Sequence, residues 1–224
     1  YKSCTCASGY EWKDGKCQTK GAILGQCTGY AKNCAIGQIL NSDGTCTTNK
    51  ESDKTPIGVI VYIGSDNCGY AMTASSIATG IAWGNYGTDI SSLPNYTSWS
   101  SAIKDFDVSG NTTKIIQTGS SNNYPAAYAA LNYAPSTAPI SKGKWMLPTA
   151  GILNSLYTNL NAINNTISKL GGTQLTNDNE HIWSSSEYDL SSAWIFCTGN
   201  GRNGVNYSRK SDTVERYVRP VIAF

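Results

Sequence analysis

The stretch WSSSEYDLSSAWIF, residues 183–196, holds two strand-like pieces, WSSSEY and AWIF, separated by a short polar segment. Aromatic and β-branched residues favour extended structure, and two further pieces of this kind follow, VNY at 205–207 and YVRPVIAF at 217–224. The glycine-rich GNGRNG at 199–204 predicts a turn after the second piece. Because the chain ends on two apolar residues, we expect the C-terminus to be built into a sheet.

Upstream, the apolar, β-branched run IGVIVYIG at 57–64 predicts the first strand of the main domain, buried on both sides. Residues 65–113 predict short strands and long loops. An Ala-rich segment predicts a helix that starts near Pro125, since proline is tolerated in a first turn. The clearest helix is predicted at 149–170, capped by Thr149, because its apolar residues recur every three or four positions.

The cysteines are concentrated at the N-terminal end, and their number is even. Such density predicts a disulfide framework formed in an oxidising compartment. Zinc binding is the alternative, but a Cys-x-Cys spacing and a single histidine are unlike the usual zinc ligand sets. The residues expected to form disulfides are Cys4, Cys6, Cys17, Cys27, Cys34, Cys46, Cys68 and Cys197.

An internal repeat occupies the cysteine-rich part. CASGYEWKDGKC at 6–17 and CAIGQILNSDGTC at 34–46 share Cys-Ala-x-Gly at the start and Asp-Gly-x-Cys at the end. Asp-Gly favours a tight hairpin turn, so each repeat is predicted to be a hairpin closed near its ends by cysteine. The segment is similar in composition to epidermal-growth-factor-like stalk modules. We predict a disulfide-rich spacer module at 1–50, a polar linker at 47–55, and a second domain at 51–224.

Two cysteines lie in the predicted second domain, Cys68 and Cys197. We expect them to pair with each other. The alternative is that Cys68 pairs with a cysteine of the N-terminal module.

Composition points to an extracellular environment. Charged residues make up 14% of the chain, against about 25% in an average soluble domain. The net charge of +2 gives no general attraction to nucleic acid or to an anionic membrane. No apolar run approaches the roughly 18 to 20 residues that span a bilayer. The first residue is Tyr1, and we expect a signal peptide or an upstream segment to have been removed, although a trimmed chain begins in the same way.

Three motifs in order carry a resemblance to a known fold. They are GKWMLPT at 143–149, IWSSSEYDLSSAW at 182–194 and RYVRPVIAF at 216–224. Together they resemble the C-type-lectin-like fold in its formylglycine-generating-enzyme-like branch, and more narrowly the variable proteins of diversity-generating retroelements. The resemblance covers about 57–224 and implies an α+β domain with small mixed β-sheets and two main helices. A second resemblance is to the lectin-like adhesion domains that end bacterial collagen-like surface proteins.

In the variable proteins, error-prone copying changes adenines in codons near the end of the gene, and the fold holds the altered side chains on an exposed face. The resemblance implies such a face between Tyr188 and Tyr217. The residues implied to form it are Asp189, Leu190, Ser191, Ser192, Ile195, Arg202, Asn203, Asn206, Tyr207, Ser208, Arg209, Ser211, Asp212, Glu215 and Arg216. The residues expected to be scaffold are Trp183, Trp194, Val218, Pro220 and Ile222.

Arginine is confined to the last 23 residues, and the rest of the chain uses lysine for positive charge. Arg has a planar head with several donors and is enriched, with Tyr, at binding hot spots. We therefore expect Arg202, Arg209 and Arg216 to face a ligand. Arg219 is expected to pair inside the sheet.

No enzymatic chemistry is predicted. Motifs of hydrolases, metalloproteases and nucleotide-binding enzymes do not occur, and a lone histidine such as His181 is usually a surface or core residue. The formylglycine-generating branch uses a cysteine pair that Cys68 and Cys197 do not reproduce. NDNE at 177–180 offers oxygens that suit calcium, but no sugar-site triplet follows. We expect no cofactor and no metal.

The sequence therefore predicts a secreted or cell-surface protein that binds a partner through its C-terminal face. The expected partner is a protein on another cell or particle, because diversified faces rich in Tyr, Ser, Asn and Arg resemble antibody paratopes. The alternative is a bacterial lectin-like adhesin that binds glycans or glycosaminoglycans, with sulfate held by arginine. A third hypothesis is an enzyme of the formylglycine-generating branch.

Overall fold

The computed structural model describes residues 6, 10–13, 15–19, 21–175, 180–198 and 204–224, which form an α+β structure. The strands are β1 (Tyr10–Lys13), β2 (Lys16–Thr19), β3 (Ile39–Asn41), β4 (Cys46–Thr47), β5 (Pro56–Ile63), β6 (Gly69–Met72), β7 (Ala78–Thr79), β8 (Trp145–Met146), β9 (His181–Glu187), β10 (Ser192–Cys197), β11 (Gly204–Arg209), β12 (Arg216–Val218) and β13 (Val221–Ala223). The α-helices are α1 (Trp99–Ala102), α2 (Val108–Thr118), α3 (Pro125–Asn132), α4 (Ala150–Thr158) and α5 (Leu160–Lys169), and a 3-10 helix spans Tyr30–Asn33. The α+β class predicted from the sequence is confirmed.

A six-stranded sheet runs in the order β4-β3-β5-β6-β13-β8. Strand β5 lies inside this sheet, and its central residues 58–61 are buried, as the apolar run at 57–64 predicted. The terminal strand β13 pairs with β6 on one side and β8 on the other, and Phe224 is fully buried. The C-terminus is therefore built into a sheet, as expected.

A five-stranded sheet, in the order β11-β10-β9-β12-β7, carries the C-terminal motifs. Strands β9, β10 and β11 are antiparallel neighbours, whereas β12 runs parallel to β9. The tryptophans of the predicted scaffold, Trp183 and Trp194, are buried in this sheet at 0% and 3% exposure. The four strand-like pieces of the sequence are all strands, and the residues 199–203 of the predicted turn lie outside the described part.

The helix predicted at 149–170 is two helices, α4 and α5, which meet at Asn159. Asn159 has φ −116° and ψ 19°, outside the helical region, and its side-chain amide donates to the Ser155 carbonyl at 2.9 Å. The Ser155 carbonyl accepts from both the side chain and the N–H of Asn159, and a turn separates the two helices here, so the prediction of one helix is wrong. The predicted cap is confirmed, since the Ile152 N–H donates to Thr149 Oγ1 at 3.4 Å.

Helix α2 begins inside the stretch predicted to be strands and loops. Asp107 caps it, accepting a hydrogen bond from the Gly110 N–H at 3.0 Å. The buried residues of α2 include two polar ones, Asn111 and Thr112. Because polar residues occupy buried positions, the apolar periodicity that signals a helix is weak in this segment.

Among the described residues three disulfides are formed: Cys6–Cys17, Cys34–Cys46 and Cys27–Cys68. The first two close the two sequence repeats, so the predicted hairpins closed by cysteine are confirmed. Cys68 bonds Cys27, so its predicted pairing with Cys197 is wrong and the alternative, a bond to the N-terminal segment, is correct. Cys197 is buried with its Sγ 3.7 Å from the Gly204 carbonyl oxygen, and Cys4 lies outside the described residues.

The two repeats are placed differently. The second repeat supplies β3 and β4, which extend the six-stranded sheet, and its Leu40 packs in a core cluster with Ile60 and Trp145. The first repeat forms its own two-stranded sheet, β1-β2. The sheet therefore continues across the boundary drawn at residue 50 from composition.

In the described part of the chain, no helix is long and apolar enough to cross a bilayer.

The different placement predicts different contributions to stability. Replacing Cys27 and Cys68 by Ser should lower the free energy of unfolding by about 4 kcal/mol, because this bond closes a long loop between two parts of one core. Replacing Cys6 and Cys17 by Ser is the matched control and should leave the global transition nearly unchanged. Urea unfolding followed by tryptophan fluorescence measures both, and equal losses would contradict this account.

Candidate ligand-binding face

The hairpin of β10 and β11 sorts the C-terminal residues by strand alternation. Trp194 lies opposite Tyr207, and Ser192 lies opposite Arg209, so these four side chains share one face of the sheet. Tyr207 is 47% exposed and Arg209 is exposed. The hairpin thus presents an aromatic ring and a guanidinium two residues apart on its outer strand.

Tyr207 is supported from below by two aromatic rings. Its ring stacks on Tyr188 with centroids 4.1 Å apart and meets Trp194 edge-on at 5.8 Å. Trp194 is itself fixed, because its indole N–H donates to the Tyr96 carbonyl at 2.8 Å. Aromatic pairs of these geometries contribute beyond the area they bury, so Tyr207 is exposed yet held in one orientation.

The turn between β9 and β10 places Leu190 at the end of the sheet that also carries Tyr207 and Arg209. Asp189 Oδ1 accepts hydrogen bonds from the N–H groups of Ser191 and Ser192, both at 2.8 Å, which fixes the turn. Leu190, at its tip, is 49% exposed. The Lys210 N–H donates to the Ser191 carbonyl at 2.9 Å and ties this turn to the end of β11. We call Tyr188, Leu190, Tyr207 and Arg209 the Tyr207 patch.

The opposite face of β11 points inward and is anchored by a buried ion pair. Lys210 is fully buried, and its ammonium contacts the carboxylate of the fully buried Glu187. Lys210 Nζ also donates to the Thr88 carbonyl at 2.7 Å and lies 4.9 Å from the ring centre of Trp83. Burial raises the pKa of Glu187, and the hydrogen bond and charge of Lys210 oppose this rise.

Arg216 is placed inward, not towards a ligand. It is 9% exposed, and its guanidinium donates to Ser208 Oγ at 2.5 Å and lies 3.2 Å from Asp212 Oδ2. Arg216 Nη1 lies 2.5 Å from His181 Nδ1, and the guanidinium lies over the ring of Trp183, 5.6 Å from its centroid. The prediction of a ligand-facing Arg216 is wrong, because these contacts use the side chain to close the β11–β12 connection.

Ile195 is a second correction. It is 4% exposed and packs in the core with Trp183 and Ile115. Both faces of β10 are covered, since residues 193–197 are all buried. A side chain in the middle of this strand therefore cannot belong to an exposed patch.

The remaining predicted face residues divide by accessibility. Five are exposed: Leu190, Tyr207, Arg209, Ser211 and Glu215. Six are half-buried: Asp189, Ser191, Ser192, Asn206, Ser208 and Asp212. Arg202 and Asn203 lie outside the described residues. Most of the predicted positions are thus accessible. The accessible ones lie in the β9–β10 turn, on β11 and in the β11–β12 connection.

Two residues of this region were missed by the sequence prediction. Tyr188 supports Tyr207, and Val214 is 77% exposed in the β11–β12 connection. The sequence carries no local signal for this contact, because Tyr188 and Tyr207 lie on opposite sides of β10 in the sheet.

Arg219 is fully buried, and its Nη2 donates to the Thr173 carbonyl at 2.8 Å and lies 3.1 Å from Glu180 Oε1. Burial lowers the pKa of this guanidinium, and Glu180 opposes the shift. The predicted structural role of Arg219 is confirmed. Of the candidate calcium segment 177–180, the structure describes Glu180 alone. The Glu180 carboxylate forms the ion pair with Arg219 and accepts a hydrogen bond from Ser76 Oγ. Within the described ranges, no group of three or more metal-ligating side chains occurs.

A buried carboxylate positions β9 behind the patch. Asp105 accepts hydrogen bonds from Ser186 Oγ at 2.6 Å and Asn111 Nδ2 at 2.8 Å, while Ser186 Oγ accepts from the Ala150 N–H at 2.8 Å. Burial raises the pKa of Asp105, and these hydrogen bonds oppose the rise. The network joins β9, α2 and α4, so it fixes the strand that carries Glu187 and Tyr188.

The architecture resembles that of a solved fimbrial protein. A fimbrial protein from Bacteroides ovatus aligns with a TM-score of 0.55 at 13% sequence identity. The alignment covers 85% of this chain and 49% of that protein, so the chain spans about half of its length. At this identity the likeness concerns the fold alone. No family model and no curated protein matches the sequence.

The buried pair predicts a stability contrast between two neighbouring residues. Lys210→Met should lower the free energy of unfolding by about 3 to 5 kcal/mol, because it leaves the Glu187 carboxylate buried without its partner. Arg209→Met, one residue away and exposed, should change it by at most about 0.5 kcal/mol. Urea titration measures both. A Lys210→Met protein as stable as Arg209→Met would show that the pair does not anchor the strand.

Proposed function

We propose that this chain is a secreted or surface-displayed binding protein that recognises a protein partner through the Tyr207 patch. The observation that carries the proposal is an exposed tyrosine held by two other aromatic rings beside an exposed arginine. Tyr and Arg dominate binding hot spots, and a pre-ordered ring loses little conformational entropy on binding. Arg209 forms no hydrogen bond or ion pair through its guanidinium with the described residues, so its donors are available.

The extracellular setting of the proposal is supported by the three disulfides, which form and persist in oxidising compartments. The fold likeness to a fimbrial protein is compatible with a role on a surface, and adhesion is the function we propose on that basis. We propose a non-enzymatic role, because the four side chains of the Tyr207 patch carry no carboxylate, imidazole or thiol for acid–base or nucleophilic catalysis.

We further propose that the domain has the C-type-lectin-like fold and is the variable protein of a diversity-generating retroelement. The pattern of exposure supports this: replaceable side chains lie on turns and an outer strand, while Trp183, Trp194 and Lys210 lie beneath them. Ile195 and Arg216 are left out of the variable set because they are buried. A reverse transcriptase gene beside an adenine-rich near copy of the coding sequence for residues 189–215 is the expected genomic finding. If this gene and the near copy are absent, the retroelement proposal is wrong, and the protein is an adhesin whose binding face does not vary.

Glycan binding is the second candidate, favoured by one observation. A half-exposed tyrosine ring next to a guanidinium suits a sugar ring that carries sulfate. Such binding should weaken steeply as salt rises, whereas binding dominated by aromatic burial should not. Glycan-array hits that disappear at high salt would favour this candidate over a protein partner.

The proposal predicts separate effects on binding and stability. In a screen of this protein against arrays of extracellular proteins, the double variant Tyr207→Ala with Arg209→Ala should weaken every specific interaction by at least roughly 100-fold, since two hot-spot residues are lost. Its melting temperature should fall by only about 3 to 6 °C, because Tyr207 loses its ring contacts with Tyr188 and Trp194 while the buried core beneath them is unchanged.

The matched control is Trp12→Ala, which removes an exposed aromatic residue from the separate β1-β2 sheet. This variant should bind as the parent does. Binding that survives the double variant but fails in Trp12→Ala would reject the Tyr207 patch and implicate the N-terminal hairpin.

A further inference from the structure

Strand β11 is the outer strand of the five-stranded sheet, and in the described part of the chain it pairs with β10 alone. The hydrogen bond from Lys210 N–H to the Ser191 carbonyl sets the alternation of backbone groups along the hairpin. The even-numbered residues of β11 therefore turn their N–H and C=O groups to β10. Val205, Tyr207 and Arg209 turn theirs outward, on the strand that carries the Tyr207 patch.

Two of these six outward groups are occupied by local contacts. The Tyr207 N–H donates to Oδ1 of the preceding Asn206 at 2.8 Å, and the Arg209 carbonyl accepts from the Asp212 N–H at 3.0 Å. Both groups of Val205, the Tyr207 carbonyl and the Arg209 N–H have no hydrogen-bond partner among residues 21–175, 180–198 and 204–224. A row of outward groups at two-residue spacing is a template for another strand.

We propose that β11 binds an extended segment of the partner protein, which adds to the sheet as a further antiparallel strand. The inference rests on the proposed function, because the added strand would lie beside Tyr207 and Arg209. Main-chain hydrogen bonds then supply affinity, and the patch side chains supply specificity. Asn206 acts as a removable cap that covers the Tyr207 N–H until the partner replaces it.

The side chains of β11 define the chemistry of the segment. Opposite charges facing each other across a strand pair are stabilising, so the residue opposite the unpaired Arg209 is Glu or Asp. The residue opposite Tyr207 is aromatic, because it meets the Tyr188–Tyr207 stack. The residue opposite Val205 is β-branched. In an antiparallel strand these three follow one another from the N-terminus at every second position.

The test uses the full chain and a fluorescein-labelled peptide in which Glu, Tyr and Val occupy alternate positions, separated by Thr. Fluorescence anisotropy should give saturable binding. N-methylation of the Tyr and Val amides removes the donors that face the free carbonyls of Tyr207 and Val205, and it should weaken binding roughly 25-fold, at about fivefold per hydrogen bond. N-methylation of the Thr amides, which face away from β11, is the matched control and should have little effect.

Asn206→Ala supplies an independent prediction of opposite sign. It removes the cap, so the peptide should bind about fivefold more tightly, because the Tyr207 N–H no longer has to be released from Asn206. No saturable binding of the parent peptide, or equal binding of the two methylated peptides, overturns the strand-addition proposal. A concentration-dependent dimer in sedimentation, lost in Val205→Pro, would overturn it in favour of a second copy as the occupant.

The two proposals fail in different ways. If Tyr207→Ala with Arg209→Ala abolishes partner binding while both methylated peptides bind equally, the Tyr207 patch binds through side chains and the strand addition is wrong. If the double variant retains its protein partner, the proposed function itself is wrong, whatever the peptides do.

Discussion

The buried ion pair between Lys210 and Glu187 is the contact on which the candidate binding face depends. It joins the residue that follows β11 to the end of β9, and Lys210 also contacts Thr88 and Trp83 of the loop at 83–90. Three chain segments that are far apart in sequence therefore meet at one ammonium group. Since a buried charge without its partner is very unfavourable, the end of the outer strand has one stable position.

This ion pair fixes the position of the outer strand β11, which carries the Tyr207 patch. Asn206, Ser208 and the following Lys210 lie on the inward side of β11. Tyr207 and Arg209 lie on the other side and are exposed, and the half-buried Val205 on that side packs against the core. The strand therefore has its more polar side chains towards the protein and an aromatic ring towards solvent. Hydrogen bonds from Arg216 to Ser208 and the ion pair of Lys210 satisfy the inward polar groups, so the end of the strand is held from within while Arg209 faces solvent.

The parts of the fold that follow local patterns were predictable from the sequence. IGVIVYIG, the two cysteine repeats and the terminal strands carry β-branched, aromatic or turn signals that tertiary packing did not override. The break at Asn159 was not predictable, because the apolar spacing continues through it. The burial of Lys210 and Arg216 was hidden for a different reason. Their partners Glu187 and His181 lie 23 and 35 residues away, and neither residue type signals burial by itself.

The Cys27–Cys68 bond has a consequence for resistance to proteolysis. Residues 48–53 are exposed and lie between the two cysteines, where a protease would cut first. A cut there leaves both fragments covalently joined, and β3 stays paired with β5 across the gap. The domain is therefore built to keep its shape after a single backbone cleavage, for as long as its surroundings remain oxidising.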